Sequence, residues 1–246
     1  PPTLCAGCPH RASFFAVKEA TAGRKAVFSG DIGCYTLGNA LPLDMVDTCL
    51  CMGAGITVAQ GINRVEPETA NFAFIGDSTF FHTGIPGVVN AVFNGAEIIV
   101  AILDNSTTAM TGGQPHPGTG RLITGAPARR VSIYDVLSAI GVDDIQRVNA
   151  FDLSSAKAAV GRALAGKGVR AILFEGECAA LSGRRPNQCS VDEKVCVGCA
   201  VCVRKLGCPA LSIRKKLAVI DQSSCTGCGL CKDVCAVRAI RGGDAA

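Results

Sequence analysis

Cys196-Val197-Gly198-Cys199-Ala200-Val201-Cys202 with Cys208-Pro209 behind it, and Cys225-Thr226-Gly227-Cys228-Gly229-Leu230-Cys231 with Cys235 behind it, are near-copies of one pattern. Each copy is C-x2-C-x2-C followed by a fourth cysteine a few residues on. Three thiolates at that spacing hold three corners of an iron–sulfur cubane on one loop, and the fourth corner is drawn from the other repeat. The expected ligand sets are therefore Cys196, Cys199, Cys202 and Cys235 for one 4Fe–4S cluster, and Cys225, Cys228, Cys231 and Cys208 for the second. Two structural zinc sites are the rival reading. Zinc favours paired C-x2-C hooks separated by a loop, not triplets with a distal fourth ligand. Residues 191–246 thus read as a small cluster-bearing domain, held together mainly by its inorganic centres. The spacing predicts a chain that conducts electrons.

Upstream of that tail, the 246 residues leave room for one α/β domain of ordinary size. Residues 1–181 alternate short apolar strands with helical stretches. The strand candidates are 25–29, 71–75, 98–103, 145–148 and 171–174, rich in Val, Ile, Phe and Leu. Helical periodicity covers 11–22, 53–63, 85–94, 133–140 and 154–165. Alternation of this kind predicts a doubly wound, mainly parallel sheet with helices on both faces. The polar, turn-rich stretch within 182–190 reads as a linker from which the tail hangs. The chain begins Pro1-Pro2-Thr3 without a methionine, as expected of a piece of a longer polypeptide.

Composition narrows the function. Fifteen cysteines at cofactor spacings, with no signal peptide, point to reduced thiols and a cytoplasmic setting rather than a disulfide framework. No apolar run approaches the roughly 20 residues of a membrane span. Between residues 184 and 241 there are eleven basic and four acidic residues. Arg204, Lys205, Arg214, Lys215 and Lys216 would balance cluster charge, steer an acidic electron-transfer partner, or simply be solvated. A nucleic-acid partner is not expected, because no aromatic residues are interleaved with these charges.

Two strand ends carry polar chemistry. Phe74-Ile75-Gly76-Asp77-Ser78 closes one apolar strand, and Ile102-Leu103-Asp104-Asn105-Ser106-Thr107 closes another about 28 residues later. One crossover helix between them brings both ends to the same sheet edge. An Asp carboxylate, an Asn amide oxygen and a nearby backbone carbonyl suit a hard cation such as Mg²⁺, with diphosphate oxygens completing its shell. Gly76 would let the backbone approach the phosphate, and the following helix start would add N–H donors.

This paired motif resembles that of thiamine diphosphate (ThDP) enzymes. The resemblance implies Asp77, Asn105 and the Thr107 carbonyl as Mg²⁺ ligands, with Gly76 and Ser78 at the diphosphate. Thr111-Gly112-Gly113-Gln114 resembles a segment of the 2-oxoacid:ferredoxin oxidoreductases, which adds Thr111 and Gly112 to the cofactor-binding set. Leu4-Cys5-Ala6-Gly7-Cys8-Pro9-His10-Arg11, Gly30-Asp31-Ile32-Gly33-Cys34, Cys51-Met52-Gly53-Ala54 and the run from Gly76 to Gly84 resemble the C-terminal half of the large subunit of the indolepyruvate-type members. There a ThDP diphosphate-binding domain precedes a bacterial-type two-cluster ferredoxin domain, and Met52 and Gly53 meet the cofactor. Two departures stand out. Ala236 follows Cys235 where such ferredoxins usually place Pro, and the five-residue gap between Cys202 and Cys208 predicts a bulged loop.

Related oxidoreductases also hold a proximal 4Fe–4S cluster beside ThDP. Cys5, Cys8 and Cys34 match its first three ligands, and Cys178 is the best fourth; buried free cysteines or a zinc site are the alternatives. Cys49, Cys51 and Cys189 are left as packing residues. His82 is the candidate for binding a substrate carboxylate or moving a proton, with a surface role as its rival. His10 reads as structural, and His116 as part of a mobile Pro/Gly-rich loop. The implied reaction is oxidative decarboxylation of an aryl pyruvate to acyl-CoA and CO₂, with coenzyme A as co-substrate and ferredoxin or another carrier as acceptor. The activating glutamate and the pyrimidine-binding domain must come from another domain or chain, alongside a further oxidoreductase subunit. Phenylglyoxylate, pyruvate or 2-oxoglutarate as substrate, or a non-catalytic electron-transfer subunit, are the alternatives.

Overall fold

A computed structural model describes residues 2–183 and 187–243. Its five long strands are β1 (Ala26–Ser29), β2 (Ala70–Gly76), β3 (Ile98–Asp104), β4 (Asp144–Asn149) and β5 (Val169–Glu175). They form one sheet in the order β1-β2-β3-β5-β4, and every neighbouring pair is parallel. The central strands are apolar on both faces because both faces are covered. Phe72, Phe74, Ile99, Ala101 and Leu103 pack under α1 (Pro9–Ala20) and α6 (Leu153–Ala165). The alternate residues Ala73, Ile75, Val100 and Ile102 pack under α2 (Ala54–Val65), α4 (Ile85–Phe93) and α5 (Ile133–Ile140).

The segment after β2 is helical from its first residue. A turn α3 (Asp77–Thr79) runs into a π-helical stretch, Phe80–Gly84, and then into α4. Pro86 lies inside this continuous run and has no N–H to give, and the π-helical turn directly before it is where the regular ladder is interrupted. The helix expected at 85–94 therefore begins eight residues earlier, at Asp77.

The tail carries α8 (Val201–Leu206), β7 (Leu211–Arg214), β8 (Leu217–Ile220) and α9 (Leu230–Val234) between the short paired strands β6 (Ser190–Val191) and β9 (Ile240–Arg241), after α7 (Ala179–Ser182). The long gap between Cys202 and Cys208 does not bulge. It is filled by helix α8, which Gly207 ends at φ +58°, and a Cβ at Gly207 would collide with Pro42. The second repeat turns without proline, through Arg238 N–H donating to the Cys235 carbonyl (3.0 Å). Of the expected linker, residues 184–186 lie outside the described residues.

The tail does not hang free. Leu206, Leu211, Ile220, Leu230 and Ile240 belong to the same core as α1 and α6. Arg11 on α1 is buried and donates to the Leu206 carbonyl (2.6 Å) and to the Leu4 carbonyl, while Lys205 pairs with Glu19 (2.9 Å). A charge-assisted, buried contact of the first kind is worth about 1.5–3 kcal/mol. This docking fixes where the tail's thiolates face.

Candidate functional site

The parallel register decides what meets at the carboxyl edge of the sheet. Gly76 pairs with Leu103, so Asp77 and Asp104 leave β2 and β3 side by side. Glu175 pairs with Asp104, so the chain beyond β5 runs along Asn105, and Cys178 N–H donates to the Asn105 carbonyl (3.1 Å). From the other side, β1 delivers Asp31 and Cys34 beside the end of β2. These strand ends enclose a cavity of about 160 Å³ lined by Met52, Gly76, Asp77, Ser78, Asn105, Thr107 and Thr111, together with His10, Cys34 and Tyr35. Seven of the sequence-predicted cofactor residues thus come together. Gly53 and Gly112 do not line the cavity. Gly53 N–H instead donates to buried Asp31 (2.7 Å), whose other oxygen accepts from Tyr35 (2.9 Å), and this pair fixes the Met52 turn. A Cβ at Gly76 would come within 2.5 Å of the Tyr35 ring, so the missing side chain here admits Tyr35.

Asp77 is 2 % exposed. Its Oδ1 accepts from Ser78 N–H (2.8 Å), and its Oδ2 meets His116 Nε2 (3.1 Å). Because Gly118 N–H donates to His116 Nδ1 (3.2 Å), the proton of a neutral ring sits on Nε2 and points at Asp77. Burial pushes the Asp77 carboxyl up, but His116, Asp104 and the Ser78 N–H together hold it below the ordinary carboxylate range. Asp104 carries the complement: burial first, then the Asp77 charge, push it up to about 6. Buried Asp77 and half-buried Asp104, adjacent beside the Asn105 amide, form an electronegative edge that a divalent cation would neutralise. The residues present fit Mg²⁺ and a diphosphate on this edge. Sequence reasoning passed over Asp104 as a partner of Asp77, and it placed His116 in a mobile loop although its side chain is 6 % exposed against Asp77. No local pattern announces a contact across 39 residues.

His10 lies in the wall of the same cavity. Its ring is buried at 3 % exposure, stands edge-on to Tyr35 at 5.5 Å, and has no hydrogen-bond partner for either ring nitrogen among the described residues. Burial pushes it down to about 4, against the pull of Asp77. Leaving such a group unmet costs about 1–3 kcal/mol. His82, in contrast, is exposed on the π-helical stretch and outside the cavity lining.

Two groups of thiols lead on from this cavity, and a third lies in the tail. Cys34, in the cavity wall, neighbours Cys178 and Cys5, and Cys5 neighbours Cys8. Burial pushes Cys8 up to about 12. Cys8 and Arg11 then line a second, small cavity together with Cys208, Cys225, Cys228 and Cys231. Cys202 neighbours Cys235 and Cys199 in the third group. Cys208 thus lies with the second triplet, and Cys235 beside Cys199 and Cys202 of the first. Among the described residues no three His, Cys, Asp or Glu side chains close on a point at single-ion distances. A cubane takes a wider frame, since each thiolate binds a separate iron.

One leftover cysteine changes meaning. Cys189, 1 % exposed, lines the second cavity as a sixth thiol. The Cys231 thiol beside it, foremost, holds Cys189 down to about 6, and the same contact with burial pushes Cys231 up. Cys49 donates to the Asp31 carbonyl (3.6 Å), and Cys51 is exposed. Among the described residues no helix is long and apolar enough to cross a membrane.

Comparison with known proteins agrees with this geometry. Residues 31–174 match the family model "Thiamine pyrophosphate enzyme, C-terminal TPP binding domain", and residues 218–241 match "4Fe-4S binding domain". Indolepyruvate oxidoreductase subunit IorA of Archaeoglobus fulgidus is 43 % identical over 98 % of this chain and 40 % of its own length. The subunit of the same name from Pyrococcus horikoshii is 39 % identical over 99 % of this chain and 41 % of its own. The chain thus spans about two fifths of the length of these curated relatives. The 2-oxoglutarate:ferredoxin oxidoreductase of Magnetococcus marinus shares the fold, with a TM-score of 0.63 at 18 % identity over 72 % of this chain and 65 % of that one. With its acidic pocket on the sheet edge and a 4Fe–4S binding domain docked behind it, the chain belongs to the thiamine pyrophosphate enzymes, as their C-terminal TPP-binding domain.

Proposed function

We propose that this chain is the ThDP-diphosphate and cluster-bearing part of a 2-oxoacid:ferredoxin oxidoreductase that acts on an aryl pyruvate such as indolepyruvate. The observation that carries the reading is the continuous row from the Asp77 cavity through Cys34 and Cys8 to the Cys208 group. A site for decarboxylation and a wire for its electrons are built into one packed unit. ThDP, when bound, supplies the electron sink for loss of CO₂ from a 2-oxoacid. Asp77, Asn105 and the Thr107 carbonyl hold its Mg²⁺, and Ser78, Thr111 and Met52 shape the pocket around it. Cys5, Cys8, Cys34 and Cys178 hold a proximal 4Fe–4S cluster. The two crossed sets in the tail hold two more, between residues 191 and 243.

Burial orders the row. Arg11 lies against Cys208, Cys8, Cys228 and Cys5, so the Cys208 group is the inner one. In the outer group Cys199 is exposed, and Arg204 donates to its carbonyl (2.6 Å). Exposed Arg204, Lys215 and Lys216 suit an acidic one-electron carrier at that end. His82 faces outward, where the pyrimidine-binding domain with its activating glutamate would complete the pocket, and there it could meet a substrate carboxylate. The aryl pyruvate rests on the names of the relatives, and coenzyme A on the reaction class.

The test uses the anaerobic complex, with its pyrimidine-binding part. Indolepyruvate should reduce a low-potential acceptor at least about tenfold faster, in kcat/KM, than pyruvate, 2-oxoglutarate or phenylglyoxylate. Preference for one of those would move the substrate. An iron-replete complex without ThDP by thiochrome assay would instead leave an electron-transfer subunit.

The crossed thiols give a second expected result. Cys208→Ala should remove about four irons per chain and the inner cluster's signal in electron paramagnetic resonance, leaving the outer cluster intact. Cys189→Ala should remove none. Loss of the outer cluster in the Cys208 variant would reject the crossed assignment, and iron loss in the Cys189 variant would make Cys189 a ligand.

A further inference from the structure

His10 has a different role from its neighbours Cys8 and Arg11. It is the second residue of α1, with Pro9 ahead of it, so the positive end of a twelve-residue helix adjoins the cavity. The polar groups around it satisfy one another. Tyr35 donates to Asp31 and approaches Thr79, while Asp77 is matched by His116 and Ser78. His10 alone is buried, polar and unpartnered in the wall of the cavity that holds Asp77 and Asn105. A structural histidine would hydrogen-bond at least one nitrogen within the protein. Both are free here, so the partner is whatever fills the cavity.

We infer that His10 binds the cofactor directly: one ring N–H donates to a diphosphate oxygen. The inference rests on reading this cavity as the ThDP site. It makes His10 a third kind of diphosphate contact, beside the cation and the backbone N–H groups.

The test measures Mg²⁺–ThDP affinity by calorimetry in the assembled, iron-loaded complex, with iron content as the control for folding. His10→Leu should weaken ThDP about 10- to 100-fold, the usual range for losing a hydrogen bond to a charged group. His10→Gln, which keeps an N–H donor in the same region, should recover most of that loss. Equal affinity in His10→Leu and wild type would overturn the role of His10 while leaving the cavity as the ThDP site. A wild-type complex that binds no ThDP would overturn both. If the Leu variant loses iron, the structure of the loaded wild-type complex decides. A ring nitrogen within hydrogen-bond distance of a phosphate oxygen supports the inference, and a ring turned away from the diphosphate overturns it.

Discussion

Asp77→Ala is expected to weaken ThDP binding at least about 100-fold at fixed Mg²⁺, roughly 2.8 kcal/mol, with the iron content unchanged. The size follows from where the carboxylate sits. It is 2 % exposed, at the end of β2, beside a second carboxyl whose proton affinity its own charge raises. A diphosphate entering this edge brings several more negative charges. Only a divalent cation makes that arrangement favourable, and Asp77 is the one ligand candidate held ionised by its surroundings. Asp77→Asn separates charge from packing. It keeps the shape and a partner for His116, yet should lose nearly as much ThDP affinity as Ala. Calorimetry on the assembled complex checks both variants, with cluster spectra showing the tail undisturbed. An affinity within threefold of wild type in Asp77→Ala would remove the cation from this edge.

The sheet was legible because each central strand is a short Val/Ile/Phe run bounded by turns, and both faces are buried. All five strands lie where their patterns place them, to within a few residues. The cavity was legible for a related reason: parallel register converts two sequence motifs into neighbours without any knowledge of side-chain contacts. What stayed hidden depends on rotamers and long-range docking. Gly84-Ile85-Pro86 reads as a helix start, but a π-helical stretch carries the helix back to Asp77. Nothing in the sequence ties Arg11 to the tail, yet it is buried and holds Leu206, turning an apparent appendage into part of the core. His116 reaches Asp77 through a loop whose Pro and Gly content suggested mobility. Cys189 falls outside both triplets, and only the folded chain places it among them.

Removing Cys178 should lower the iron content of the complex from about twelve to about eight per copy of this chain, three cubanes becoming two. The docked tail alters the reason for expecting a proximal cluster. The Cys208 cavity already contains Cys8, and the Asp77 cavity already contains Cys34. The group formed by Cys5, Cys8, Cys34 and Cys178 is therefore the only one, among the described residues, that touches both cavities. Its fourth member is placed by the sheet itself: Cys178 follows β5 and is tied to Asn105, a Mg²⁺ ligand candidate, through the backbone. A one-electron acceptor there would stand directly between the site of CO₂ loss and the tail. Cys178→Ala should then abolish reduction of the tail clusters by substrate, by at least about 100-fold in rate, roughly 2.7 kcal/mol in barrier. Dithionite, which reaches the tail from solvent past exposed Cys199, should still reduce them. Rapid-freeze electron paramagnetic resonance separates the two routes. Substrate reduction at the wild-type rate in the variant would mean that the cofactor feeds the Cys208 group directly. A wild-type iron count near eight, with zinc or free thiols at Cys5, Cys8, Cys34 and Cys178, would leave Arg11 and the intervening protein as the only link between the two cavities.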